Sequence, residues 1–463
     1  MRIRIAVTSV LLIGGLVAAR QDANGPLRKL TSSRPHRRVN WGRQSVATTA
    51  PASPETTTTL AIGTVPVTAV SIAPTVATTV PGTTATAATT PAATTTAPPP
   101  TTTTAKATTT TATSPATTRV STPLPPLVRG VWQEVTPAGV SMDYNAASQG
   151  NFGMQTVVVA PSDPRVVYVG TCFQGVWKST DAGASWVMVS KGVNGAKVGS
   201  GKNWSLAVDP TNADVVYATS GGGGEGLWKS TNGGVDWVQV YAESLWSSTS
   251  MDVYSVAIDP ADHNHLLLGF HQYWGPQMDR DSGVAESKDG GVSWVVHSAA
   301  GPWGRGNYVF FVTSSRWLLA SQDAGYWVTS NSGGSWKQVS SVPMTHGGSQ
   351  LYRAKNGVLY VAALHELLRS TDGGLSWSSV PGRPGGDGYF AIVGDGTRMY
   401  VQTAPPWWDG SASYMVSDET DGLTWSAYNA QTFARGPMSM AFDPVNGILY
   451  SSNWNGGLWR LKV

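Results

Sequence analysis

Tryptophans and aspartates crowd the same stretches of this chain. Trp204, Trp246, Trp274, Trp303, Trp407, Trp408 and Trp454, with Tyr144 and Tyr273, fall in segments that also carry Asp143, Asp252, Asp279, Asp281, Asp387 and Asp409. These segments read as loops, where large apolar rings are normally avoided. A ring held in water wants a flat partner. Sugars supply one, because their C–H faces stack on aromatic rings while their hydroxyls bond to nearby Asp, Asn and Arg. The pattern points to a polysaccharide or glycan as the partner.

Other chemistries have less support. Cys172 is the only cysteine, which excludes an intrachain disulfide and a thiolate metal site. His263, His265, His271, His297, His346 and His365 are scattered, and the one close pair, His263-x-His265, is expected in a surface turn. The glycine run at 221–224 lacks the Lys-Ser/Thr and following helix of a phosphate cradle. No metal and no cofactor are expected. The formal charge is +3, yet residues 1–122 hold 11 of the 31 Lys/Arg and only 2 of the 28 Asp/Glu, which leaves 20 basic against 26 acidic residues beyond them. An acidic body argues against nucleic acid, which needs clustered cations.

The elements that must position these residues begin after a long leader. Residues 1–19 have the order of a secretory signal: Arg2 and Arg4, an apolar run, then Val17-Ala18-Ala19. Retention as an uncleaved anchor is the alternative, because the basic residues that follow oppose translocation. Residues 20–47 form a basic segment expected to be disordered and suited to contact with an anionic wall polymer or membrane surface. Residues 48–127 are a Thr/Pro/Ala-rich linker, expected to act as an extended stalk. The expected location is secreted or tethered at the cell surface.

From residue 128 to 463 one unit recurs. Ser179-Thr-Asp181-Ala-Gly-Ala-Ser-Trp186 is followed by similar runs ending at Trp237, Trp294, Trp336 and Trp377, and by a copy with one extra residue ending at Trp425. A period of 41 to 57 residues between these tryptophans signals four-stranded propeller blades. Asp or Asn followed by Gly makes a tight hairpin turn, and the Trp re-enters the next strand to pack between blades. Innermost strands near residues 155, 205, 255, 309, 350, 390 and 438 predict seven blades. The last unit lacks an outer strand, and residues 131–135, with Trp132, are expected to supply it and close the ring. The expected fold is all-β, a seven-bladed propeller, and a monomer.

The boxes resemble the Asp-box repeat shared by sialidases, xyloglucanase-type glycoside hydrolases, sortilin-like receptors and the photosystem II stability factor family. That resemblance implies the propeller and covers residues 131–463, while leaving the chemistry open, because the family's boxes lie on the side opposite its active sites. The stretch from Asp143 through Asn151-Phe152-Gly153 to Pro161 is similar to a xyloglucanase-type segment whose aspartate is catalytic, which implies Asp143 as a catalytic carboxylate. An inverting glycosidase needs a second carboxylate about 6.5–9.5 Å away. Asp279, Asp281 and Asp252 are the available ones. Substrate contacts are expected from Trp246, Trp274, Trp303, Trp407, Trp408, Trp454 and Tyr144. Two functional classes remain open: an exported carbohydrate-binding propeller, as a xyloglucanase-like hydrolase or a binder, and a protein-recognition or assembly propeller.

Overall fold

The structure is a computed structural model that describes residues 125–143, 150–221, 226–242, 252–271, 283–298, 303–383, 388–404, 412–429, 431–435 and 439–463. The signal and basic segments and residues 48–124 of the linker lie outside the described residues. No helix among the described residues is long and apolar enough to cross a membrane.

Seven four-stranded antiparallel sheets follow one another along the chain. Their innermost strands start at Met154, Leu206, Val253, Asn307, Leu351, Gly388 and Ser439, within three residues of the expected positions. In blade 1, Met154–Val159, Val167–Thr171, Val176–Ser179 and Val187–Met188 run from the centre outwards. The second strand of each blade is an apolar run buried on both sides, as Val167–Thr171, Trp317–Ser321 and Leu359–Ala363 illustrate. Sheet packs on sheet around the ring, so the core is a set of inter-blade layers.

Blade 7 is completed from the other end of the domain. Trp132–Glu134 pairs antiparallel with Leu458–Lys462, with Trp132 opposite Leu461. Trp132 then packs on Tyr414 and Phe433 of blade 6 at 4.8 and 5.4 Å, while Gln133 Oε1 accepts two bonds from the Arg460 guanidinium. The expected ring closure is therefore present, and it covers what would be an open sheet edge.

The boxes are turns held by their own side chains. In the first, the Ser185 amide and hydroxyl donate to the two Asp181 carboxylate oxygens at 2.8 and 2.6 Å, and the Ser179 hydroxyl donates to the same carboxylate at 2.8 Å. Gly183, at φ 78°, takes a conformation that a β-carbon penalises. The same bonds hold Asp289 and Asp372, and the serine donors draw both acids down to about 2.

Around the axis, serines of the innermost strands reach the neighbouring blade. Ser439 Oγ meets the Val157 amide and carbonyl at 3.4 and 3.3 Å, Ser205 does the same for Val256, and Ser255 accepts from the Val309 amide. Those strand edges would otherwise lack partners. The channel they enclose has a volume of about 150 Å³.

Candidate functional site

Strand connections in a four-stranded meander alternate ends, so the box turns lie at one end of the ring. The second-to-third strand loops and the links between blades lie at the other. At this second end a cluster of described residues gathers around Lys202. Lys202 sits in the link from blade 1 to blade 2, its backbone bridged to Cys172 on one side and Gly221 on the other. Its ammonium lies 4.9, 5.8 and 5.2 Å from the ring centres of Phe152, Phe173 and Trp204. Trp204 is edge-on to Tyr254 at 5.1 Å and faces His271 at 5.8 Å. His271 and His346 stand 5.1 Å apart.

Hydrogen bonds fix this cluster. A carboxylate only accepts, so His271 Nδ1–H donates to Asp252 Oδ2 at 2.9 Å. His346 Nδ1 donates to Gln322 Oε1 at 3.2 Å, and Gln322 Nε2 donates to the Tyr254 hydroxyl, which also accepts the Gly347 amide at 2.5 Å. Burial, reinforced by the charges of His271, Lys202 and Arg305, holds the His346 imidazole neutral and pushes its pKa down to about 3. Burial also pushes the Tyr254 phenol well above its ordinary value.

The backbone here is strained. Phe173, Asp252 and Trp454 have φ of 61°, 45° and 47°, a region that non-glycine residues seldom occupy and that bulky ones enter only when surrounding contacts enforce it. Asp252 Oδ1 is buried without a donor among the described residues, which costs about 1–3 kcal/mol. A β-carbon at Gly221 would lie 1.9 Å from that oxygen, so only glycine fits beside it.

The predicted site residues divide accordingly. Asp143 is exposed, and the segment leading to it is held in place: Ser141 and Gln174 exchange bonds of 2.6 and 2.9 Å, Asn455 Nδ2 donates to the Met142 carbonyl at 2.6 Å, and Asn151 Nδ2 donates to the Asp143 carbonyl at 3.3 Å. Asp252 is 3% exposed and engages His271 rather than solvent. Trp303 is fully buried and packs edge-on against Trp336 at 4.7 Å, so in this conformation it is an inter-blade core residue and not a stacking platform. Trp454 is buried too, 5.4 Å from Phe152 and 6.4 Å from Phe390, beneath the face that it was expected to line. Trp246, Trp274, Trp407, Trp408, Tyr144, Asp279 and Asp281 lie outside the described residues, as do Tyr273, Asp387 and Asp409.

One further reading needs correction. His263 and His265 both lie in the strand Asp262–Phe270 and not in a turn: His263 is near Asp209 at 3.2 Å, and the buried His265 is bonded to Asp259 at 3.1 Å and Glu286 at 2.8 Å. His297 binds the other Glu286 oxygen at 2.9 Å, which makes a polar cluster within blade 3, packed against Trp317 of blade 4. Cys172, the lone thiol, is buried and pushed up to about 11, far from a reactive thiolate. Sequence reasoning missed Lys202, Tyr254, Gln322 and His346 as members of one site.

No family model matches the chain. It is similar to a xyloglucanase of Hypocrea jecorina, 26% identical over 305 residues that cover 60% of this chain and 32% of that protein. A xyloglucanase of a Paenibacillus species is 25% identical over 273 residues, 49% of this chain and 26% of that one. Among solved structures, a GH74 enzyme of Niastella koreensis superposes with a TM-score of 0.53 at 18% identity, covering 71% of this chain and 53% of that one. The GH74 xyloglucanase of Xanthomonas campestris gives 0.50 at 20% identity, with the same coverage. The chain thus spans about a third or less of the curated relatives and about half of the solved ones. The fold is a seven-bladed propeller of the kind found in these enzymes.

Proposed function

We propose that the chain is an exported, polysaccharide-directed propeller, a xyloglucanase-like glycoside hydrolase that works on the loop end of the ring. The observation that carries this reading is the similarity to xyloglucanases over 305 aligned residues. The exposed Asp143, on a segment anchored to blades 1 and 7, supports it. In the inverting reaction one carboxylic acid protonates the glycosidic oxygen while a carboxylate takes a proton from the water that attacks the anomeric carbon. Asp143 is our first catalytic residue. Asp279 or Asp281 is the partner we favour, because Asp252 is committed to His271 and serves better as a positioning residue. Trp246, Trp274, Trp407 and Trp408, with Tyr144, are the proposed sugar contacts. The chain acts as a monomer outside the cell, with residues 20–47 touching the wall or membrane surface.

Reducing ends released from xyloglucan by the full chain test this reading. The parent releases sugar, and Asp143→Asn loses about 10²–10⁴-fold in rate with unchanged polymer binding. Equal release by both proteins removes Asp143 from the mechanism, and no release by either removes the hydrolase reading.

A further inference from the structure

Lys202 occupies an unusual position for a lysine. It is half-buried at the mouth of the channel, faced by Phe152, Phe173 and Trp204, and no carboxylate among the described residues pairs with it. Among the described residues, the carboxylates of Asp252 and Asp323 are committed elsewhere. Asp252 accepts the His271 Nδ1–H at 2.9 Å, and Asp323 accepts the Arg305 amide at 3.1 Å and lies 3.6 Å from its guanidinium. We propose that this mouth receives the carboxylate of a uronic-acid unit carried on an otherwise neutral polysaccharide. The inference rests on the reading of the loop end as a polysaccharide face and adds the class of sugar that it selects.

Three observations lead there. Ring faces answer a cation by about 0.5–2 kcal/mol, whereas an anion entering a partly desolvated site gains more. Lys202 is the cation here without a carboxylate partner among the described residues, and it adds to the burial that opposes protonation of His346. The half-buried rings of Phe152 and Phe173 beside the ammonium, and not the buried Trp204, would take the C–H face of the same sugar. Two of the residues there, Phe173 and Trp454, are held at φ 61° and 47°, strain of the kind that persists at ligand-binding positions.

The domain as a whole sets a limit. Beyond residue 122 it carries 26 acidic against 20 basic residues, so a continuous polyanion would be repelled along most of its length. An isolated carboxylate on a neutral chain can be seated beside Lys202 without bringing further anions against the acidic body. Scattered uronates, and not polyuronate, fit this distribution.

The test compares two forms of one polymer on the full chain: xyloglucan, and xyloglucan lightly oxidised at C6 so that scattered units become uronates. The oxidised polymer is expected to bind about tenfold more tightly at low salt, in line with one charge-assisted hydrogen bond. High salt should narrow that preference. Lys202→Met should abolish it and Lys202→Arg should retain it. Equal binding of the two polymers, or a preference that survives in Lys202→Met, overturns the inference. If Lys202→Met does not fold, the two polymers on the parent and the Lys202→Arg variant still decide. Equal binding leaves the polysaccharide reading standing, whereas binding of neither polymer removes both.

Discussion

The two ends of the propeller are built by different rules. At the box end one solution recurs: a carboxylate or amide side chain accepts from a following serine or backbone amide, the glycines take the positive-φ positions, and a tryptophan enters the blade, as in the runs ending at Trp186, Trp294 and Trp377. Among the described residues of the loop end no such unit repeats. Strained Phe173, Asp252 and Trp454, an unpaired buried carboxylate oxygen and a histidine pair meet there, drawn from separate blades. Repetition marks what every blade needs in order to fold, and irregularity marks what only the assembled ring does.

Substitutions can sharpen or break this contrast. The largest effect is expected from Asp143→Asn, about 10²–10⁴-fold in turnover with little change in melting temperature. Next comes Glu286→Ala, which leaves His265 and His297 without their shared acceptor on the face of blade 3 that packs against blade 4. It should cost about 3–5 kcal/mol in denaturant unfolding and leave polysaccharide binding intact. Asp181→Ala removes the acceptor of one box turn. About 1–2 kcal/mol is expected from the hydrogen bonds lost, again without effect on binding.

The ends should also differ in acid. His346 is lowered from its ordinary 6.5 to about 3, so the unfolded chain takes up a proton that the folded one refuses. Its contribution is complete above 6.5 and is lost as pH falls towards 3. His346→Asn should flatten the melting profile in that window. The box acids Asp289 and Asp372, lowered from 3.8 to about 2, lose their contribution only as pH falls through that lower range. A profile unchanged by His346→Asn between pH 6.5 and 4 would mean that the imidazole is not excluded from protonation at the mouth.

The architecture was legible because each blade writes it again. The Asp/Asn-Gly turns and the tryptophan spacing gave blade count and strand order, and the missing outer strand of blade 7 pointed to Trp132. The mouth was far less legible. Lys202, Asp252, His271, Gln322 and His346 come from different links and loops, and no spacing in the chain records that they meet. Nor does a tryptophan in a loop reveal which way it turns. Trp303 and Trp454 went inwards, where inter-blade packing buries an indole more completely than a loop surface could. His265 was misread for a related reason: the Asp259 and Glu286 that hold it are separated in sequence and joined only by the sheet register.

The most direct measurement pairs one substitution from each end, Asp143→Asn and Asp181→Ala, and records for both the thermal midpoint and the initial rate of reducing-end release from xyloglucan. The account predicts a crossover: Asp143→Asn keeps its midpoint and loses its rate, while Asp181→Ala lowers its midpoint and keeps its rate. If Asp181→Ala abolished turnover at a temperature where it remains folded while Asp143→Asn did not, the chemistry would lie at the box end and the division of labour proposed for the two faces would be wrong.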